Sequence, residues 1–267
     1  MGSRKARAAI AAVFAIALSG ATLHAAGCPE EPDWSYGTGP TGQQNWASLF
    51  PILCGRGSQQ SPFGIVTAGV TRAKLPKLTF HYKVADVVVL DYDDQVEFNH
   101  GAGNFITIGK TVYDLINIHE HTPSEYTVNG QQFAMEIHLV HKNAATGQLA
   151  VVGVLVNAGA ADPGIIQGPS PSQPTAVDLK LTELIPKKKN YVRFNGSLTT
   201  PGHTITLPRC AESVLWTTML TPITLSSGQI AEFEDAARAC WGTSITNRPL
   251  SPANNRFLLM VPPKVDP

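Results

Sequence analysis

The stretch from Asn117 to His141 constrains this chain more than any other. Asn129 and Gly130 divide it, with β-branched and aromatic residues on both sides. An Asn-Gly pair accepts the positive φ angles of a two-residue hairpin turn, so it predicts a tight reversal between two extended segments. Side chains alternate along a strand, which puts His119 and His121 on one face. On the returning segment Glu136, His138 and Val140 share a face, while Ile137, Leu139 and His141 take the other. Four of the eight histidines lie within these twenty-five residues. Two imidazoles from one strand and a third from its neighbour make a three-nitrogen face with the fourth position open, as a catalytic zinc requires. A His-x-His pair on a strand is also a common hydrogen-bonded surface pair. Asn117 and Glu136 favour the metal, because each stands two residues before a candidate ligand and on its face. A carbonyl or carboxylate so placed accepts the second ring N–H of the histidine and fixes its tautomer.

The beginning of the chain sets the compartment. Arg4, Lys5 and Arg7 precede an apolar run from Ala8 to Leu18, small residues follow to Gly27, and no acidic residue occurs before Glu30. This is the pattern of a secretory signal peptide over residues 1–26, too short in its apolar part for a transmembrane helix. Cleavage after Ala21, Ala25 or Ala26 fits equally. No other segment is apolar for long enough to span a bilayer, so no transmembrane segment is expected. Of twenty basic and twenty acidic residues the leader takes three basic ones, leaving seventeen against twenty. A nearly neutral mature chain is a poor partner for nucleic acid. With 43% apolar residues, the remaining residues 27–267 can bury one large core and are expected to form a single domain. Cys28, Cys54, Cys210 and Cys240 make an even count in an exported chain. Two disulfides are the natural reading, with three connectivities open. The rival reading makes Ala25-Ala26-Gly27-Cys28 a lipoprotein processing site; it lacks a leucine three residues before Cys28 and strands Cys240.

Residues 28–58 are rich in Pro, Gly, Trp and Gln and read as a wrapped, loop-like start. Short β-rich runs follow at Val84–Tyr92, Gln95–Asn99 and Asn104–Ile108, separated by Gly, Asp and Asn as in antiparallel strands. Leu149–Val156 is a continuous apolar run, the mark of a strand buried on both faces. Residues 158–176 form a Gly/Pro/Ser/Ala loop. Asp178–Ile185 reads as a short helix and Ser227–Ala239 as a second, with Ser226 and Gln229 at capping-box spacing. Strand signals return at Tyr191–Phe194, Val214–Leu220 and Arg256–Val261. The class is mainly β, with a few short helices.

The chain also resembles a known family. The histidine stretch is similar to the zinc core of the α-class carbonic anhydrases. Further matches are Trp34-Ser35-Tyr36-Gly37, Gln60-Ser61-Pro62, Gly196-Ser197-Leu198-Thr199-Thr200-Pro201, Cys210-Ala211-Glu212 with Trp216, and Asn247-Arg248-Pro249. They run in order from Trp34 to Arg256, so the resemblance covers nearly all of the mature chain. It implies one large, twisted, mostly antiparallel central sheet and a Zn²⁺ held by His119, His121 and His138. It also implies reversible hydration of CO₂ to bicarbonate and a proton by a zinc-bound hydroxide. Thr199, donating to Glu125, would aim that nucleophile; Thr200 would contact bicarbonate, and Val140, Val151, Leu198 and Trp216 would form the apolar wall for CO₂. A disulfide Cys54–Cys210 is implied, and with it Cys28–Cys240, as is a cis peptide at Ser61-Pro62. With the leader, the resemblance implies a periplasmic or secreted lyase with ester hydrolysis as a side activity; whether it is a monomer or a homodimer stays open.

Several departures from the family pattern bear on function. Ala102 stands where the family's proton-shuttle histidine is common, which leaves His100, His203 and Tyr36 as candidates for proton transfer. Glu120 replaces the usual aromatic residue between the first two ligands; facing away from zinc, it is expected to meet a basic partner or solvent, since a buried lone carboxylate is costly. Tyr126 replaces a histidine beside Glu125. His203 to Arg209 read as an insert before Cys210, near the pocket mouth. His141, on the face opposite His138, reads as a buried structural histidine. Two other readings stand beside the enzyme: a non-catalytic binding module on the same fold, and an exported zinc-binding protein. The complete histidine set speaks against the first and the lack of metal-buffering tracts against the second.

Overall fold

The structure is a computed structural model that describes residues 33–91, 97–99, 102–160, 176–202 and 209–261. The leader and its cleavage sites, Cys28, His100 and His203 lie outside the described residues. In chain order the strands are β1 (Gly64–Ile65), β2 (Thr71–Arg72), β3 (Leu78–His81), β4 (Val84–Asp91), β5 (Glu97–Asn99), β6 (Phe105–Ile108), β7 (Thr111–His121) and β8 (Thr127–Val128). They continue with β9 (Met135–Lys142), β10 (Leu149–Ala158), β11 (Ala176–Lys180), β12 (Tyr191–Ser197), β13 (Glu212–Leu225) and β14 (Leu259–Met260). Two α-helices are described, α1 (Trp46–Leu49) and α2 (Ser227–Trp241).

Nine strands form one sheet in the order β2-β14-β12-β13-β10-β9-β7-β6-β3. Its pairings are antiparallel except β10 with β13 and β14 with β2. The period of two sorts the central strands cleanly. Ile118, Ile137, Leu139, Val152 and Val154 pack on one face of the sheet, and Val140, Val151, Phe194 and Trp216 on the other. Strand β10 is buried from Leu149 to Val156, as its unbroken apolar run predicts.

Helix α2 closes the first face. Ser226 accepts from the Gln229 N–H while the Gln229 side chain accepts from the Ser226 N–H, completing the expected capping box. Gly242, at φ +67, ends it in the left-handed conformation that suits glycine. Ile230, Phe233 and Ala236 recur at helical spacing and pack into the same core as Leu139 and Val152. Each fully buried large apolar side chain there stabilises the fold by about 1.5–3 kcal/mol.

The helix expected over Asp178–Ile185 does not form. Residues through Lys180 belong to β11, which pairs antiparallel with β4 from Ala176 opposite Val88 to Lys180 opposite Val84, and the rest is a turn. Leu181, Leu184 and Ile185 keep the i, i+3, i+4 spacing that suggests a helix, yet that spacing buries a turn against the core. A distant partner strand overrides local propensity here. The Asn129-Gly130 turn is present with both φ angles positive, at 51° and 82°. It closes a single bridge between Val128 and Gln131, and the ladder between β7 and β9 resumes only at His121 opposite Glu136. Strand Arg256–Val261 shortens to Leu259–Met260. Peptide Ser61-Pro62 is cis, as is Thr122-Pro123. Cys54 and Cys210 form a disulfide. Cys240 is disulfide-bonded too, and no described cysteine is free.

Candidate metal centre

Strand register builds the site. His119 stands directly opposite His138 in the antiparallel ladder, and His121 opposite Glu136. The alternation of β7 and β9 then sends three imidazoles to one side, with ring centroids 4.6–5.3 Å apart. One nitrogen from each ring lies within 4.8 Å of the others. His119 Nδ1–H donates to Asn117 Oδ1, and His121 Nδ1–H donates to the Thr246 carbonyl at 2.7 Å. His138 turns the other way, with Nε2 3.3 Å from Glu136 Oε1. The first two bonds leave Nε2 of His119 and Nε2 of His121 as lone-pair donors facing inward, and the ring of His138 presents Nδ1 to them, with Nε2 beside Glu136 Oε1 but short of hydrogen-bond geometry. His138 Nδ1 and His119 Nε2 are only 3.2 Å apart, so two lone pairs oppose each other unless a proton or a cation lies between them.

Burial disfavours the proton. It holds His138 down to about 3 and His121 to about 4 against the pull of Glu125. His119 is lowered well below its ordinary value by burial and by the two neighbouring rings. Burial likewise pushes Glu136 up to about 8, partly opposed by the N–H groups of Tyr126 and Glu125. Glu125 is raised mainly by burial, with the His121 ring, the Arg248 N–H and the Thr199 hydroxyl pulling it back. Within this cluster three neutral imidazoles, converging in a buried site, are a donor set for a divalent cation. A dication would also reverse the penalty on both carboxylates. The residues present therefore fit zinc.

A second layer fixes the first. Glu136 Oε2 accepts from the N–H groups of Glu125 and Tyr126 at 3.0 and 2.9 Å. Glu125 Oε1 accepts from the Arg248 N–H at 2.9 Å, while its Oε2 lies 3.5 Å from His121 Nε2. Tyr126 donates to Ser61 Oγ, which also accepts from the Ser197 N–H. Trp216 Nε1 donates to the Ser197 carbonyl and Leu198 N–H to that of Ala211. Thr199 and Thr200 follow on this pinned segment, Thr199 buried and Thr200 half-exposed. Val140, Val151, Trp216 and Leu198 pack together in one apolar cluster.

The remaining sequence-derived residues are placed as follows. Tyr36 is buried among Trp34, Trp46 and Trp241. His141 is buried on the far face, bonded to Tyr82 and the Ala150 carbonyl. Glu120 corrects the expectation made of it. It is 5% exposed, and among the described residues it forms no ion pair and its Oε2 has no hydrogen-bond partner. Burial pushes it up to about 8, so it resolves its cost by holding a proton. The Thr246 carbonyl escaped sequence reasoning, since any residue supplies one. Only the Asn247-Arg248-Pro249 match pointed to that loop.

A three-histidine face that could hold a metal ion, carried on a curled nine-stranded sheet, has its counterpart in one class of lyase, the carbonic anhydrases. The family model of eukaryotic-type carbonic anhydrase matches residues 41–261. The carbonic anhydrase of Klebsiella pneumoniae is 34% identical over 260 residues, 93% of this chain and 97% of its own. Among solved structures, the α-carbonic anhydrase of Thermovibrio ammonificans in complex with the inhibitor sulfanilamide superposes with a TM-score of 0.73 at 30% identity, covering 85% of this chain and 98% of that one. Dioscorin complexed with ascorbate gives 0.73 at 30% identity over 86% and 98%. The chain belongs to the eukaryotic-type, or α-class, carbonic anhydrase family. No described helix is long and apolar enough to cross a membrane.

Proposed function

We propose that His119, His121 and His138 hold Zn²⁺ and that the protein hydrates CO₂ reversibly to bicarbonate and a proton. The convergence of three neutral ring nitrogens within 4.8 Å carries this reading. When bound, zinc supplies a Lewis acid that lowers the pKa of a coordinated water to about 7, carbonic anhydrase being itself the standard example of that general value. Glu125 accepts from the Thr199 hydroxyl, which turns the Thr199 oxygen into an acceptor aimed at the nucleophile. Val140, Val151, Leu198 and Trp216 give CO₂ a dry surface beside it, and Thr200 meets the bicarbonate oxygens. Asn117, Glu136 and the Thr246 carbonyl hold the three rings in their ligating tautomers.

The export reading completes the proposal. Residues 1–26 are a cleaved leader, residues 27–267 the catalytic domain, Cys28 pairs with Cys240, and the product is periplasmic or secreted. Ester hydrolysis is a side activity of the same centre. Ala102 leaves proton export to buffer or to His100, His203 or Tyr36. Stopped-flow CO₂ hydration over a series of buffer concentrations tests this. Fast turnover that climbs with buffer is expected; zinc-loaded protein without turnover would leave the binding-module reading, which the structural likeness to an ascorbate complex of dioscorin keeps in view.

A further inference from the structure

Gly153 lies inside β10, directly opposite His138 in the ladder with β9. Its φ is outside the left-handed range, so the backbone does not require glycine there. Glycine weakens a strand interior, and where it persists something else occupies the side-chain position. A Cβ at Gly153 would stand 2.7 Å from Glu136 Oε1, 3.8 Å from Glu136 Cδ and 3.5 Å from Trp216 Cζ3. The first of these is the oxygen that faces His138 Nε2. The carboxylate has no free retreat, because its other oxygen is bonded to two backbone N–H groups. Trp216 cannot yield either, being 1% exposed and tied to the Ser197 carbonyl.

We propose that Gly153 is a positioning residue of the metal centre: its missing side chain is the hollow in which the Glu136 carboxylate stands to orient the His138 ring. The role rests on the zinc reading above. Glycine here sacrifices strand propensity to let a carboxylate reach a ligand from behind.

The test is a double-mutant cycle on the apoproteins of wild type, Gly153→Ala, Glu136→Ala and the double variant. Zn²⁺ affinity is measured by competition with a chromogenic chelator. Gly153→Ala is expected to weaken zinc binding by roughly 10–100-fold, the usual effect of losing a partner behind a ligand. Glu136→Ala should weaken it comparably, and the double variant no further, because the added methyl then meets no carboxylate. Wild-type affinity in Gly153→Ala would overturn the proposal. So would a penalty that persists undiminished when Glu136 is already alanine, since the methyl would then act through Trp216 or the backbone. Should Gly153→Ala fail to fold, the double variant must fold; failure of both sinks the assignment. Absence of zinc binding by the wild type would instead overturn the metal-centre reading, and this role with it.

Discussion

Glu120 sits between two imidazoles in sequence and on the opposite side of the strand from both. Its carboxyl is buried with a folded-state pKa near 8, against an ordinary value of 4.5. Between these two values the unfolded chain has released a proton that the folded chain keeps. Stability therefore falls as pH rises from about 4.5 to about 8, at most roughly 1.4 kcal/mol per unit, and levels off above. Glu120→Gln removes the titration. Its melting temperature in the apoprotein should draw ahead of wild type between pH 5 and pH 8 and keep a constant lead beyond; a lead independent of pH would show that Glu120 is ionised when folded. The hydroxyl of Thr199 belongs to the same scale. Thr199→Ala should lower kcat/KM for CO₂ by roughly 10²-fold with zinc content unchanged, as expected for a lost orienting donor. Asn117 and Glu136 were legible in the sequence because a strand's period of two is rigid. The Thr246 carbonyl was not, since a backbone acceptor 125 residues from His121 carries no residue signature.

Among elements, α2 was the most legible. Its start is written in side chains that bond within one turn, Ser226 and Gln229, whereas its end, at Trp241 before Gly242, lies two residues past the expected Ala239. Local bonds of this kind are visible in sequence because both partners are near. Ser226→Ala should destabilise the protein by about 1 kcal/mol in urea unfolding, with an unchanged m-value. A loss well below 0.5 kcal/mol would mean that packing of Ile230 and Phe233 alone holds the first turn. Strand β11 is the opposite case. Its hydrogen-bond partner, β4, lies far back in the chain, while Leu181, Leu184 and Ile185 offer a helical spacing close by. Nothing local distinguishes a buried turn from a helix when the apolar positions coincide. The hairpin between the ligand strands falls between these extremes. The Asn-Gly turn was legible, but not the excursion through residues 122–134 that separates it from the β7–β9 ladder.

Across the whole molecule, the histidine centre joins parts that the sheet alone leaves apart. His121 and Thr122 are bonded to Thr246, and Glu125 to Arg248, so the loop after α2 closes over the ends of β7. Three neutral, mutually facing imidazoles, two of them buried and the third half-buried, are a poor arrangement without a cation, and zinc held there as proposed would bind the folded state only. Its contribution is therefore stability by linkage. At free zinc a thousandfold above the dissociation constant it amounts to about 4 kcal/mol. For a domain of this size each kcal/mol raises Tm by about 2–4 °C. Stripping the protein with dipicolinate should thus lower its melting temperature by about 8–16 °C, and restored zinc should recover it. His138→Ala should lose most of that shift while keeping the far-ultraviolet spectrum of the β-sheet. An equal melting temperature with and without zinc in the wild type would mean that the three rings do not hold the metal in solution, however well their nitrogens converge.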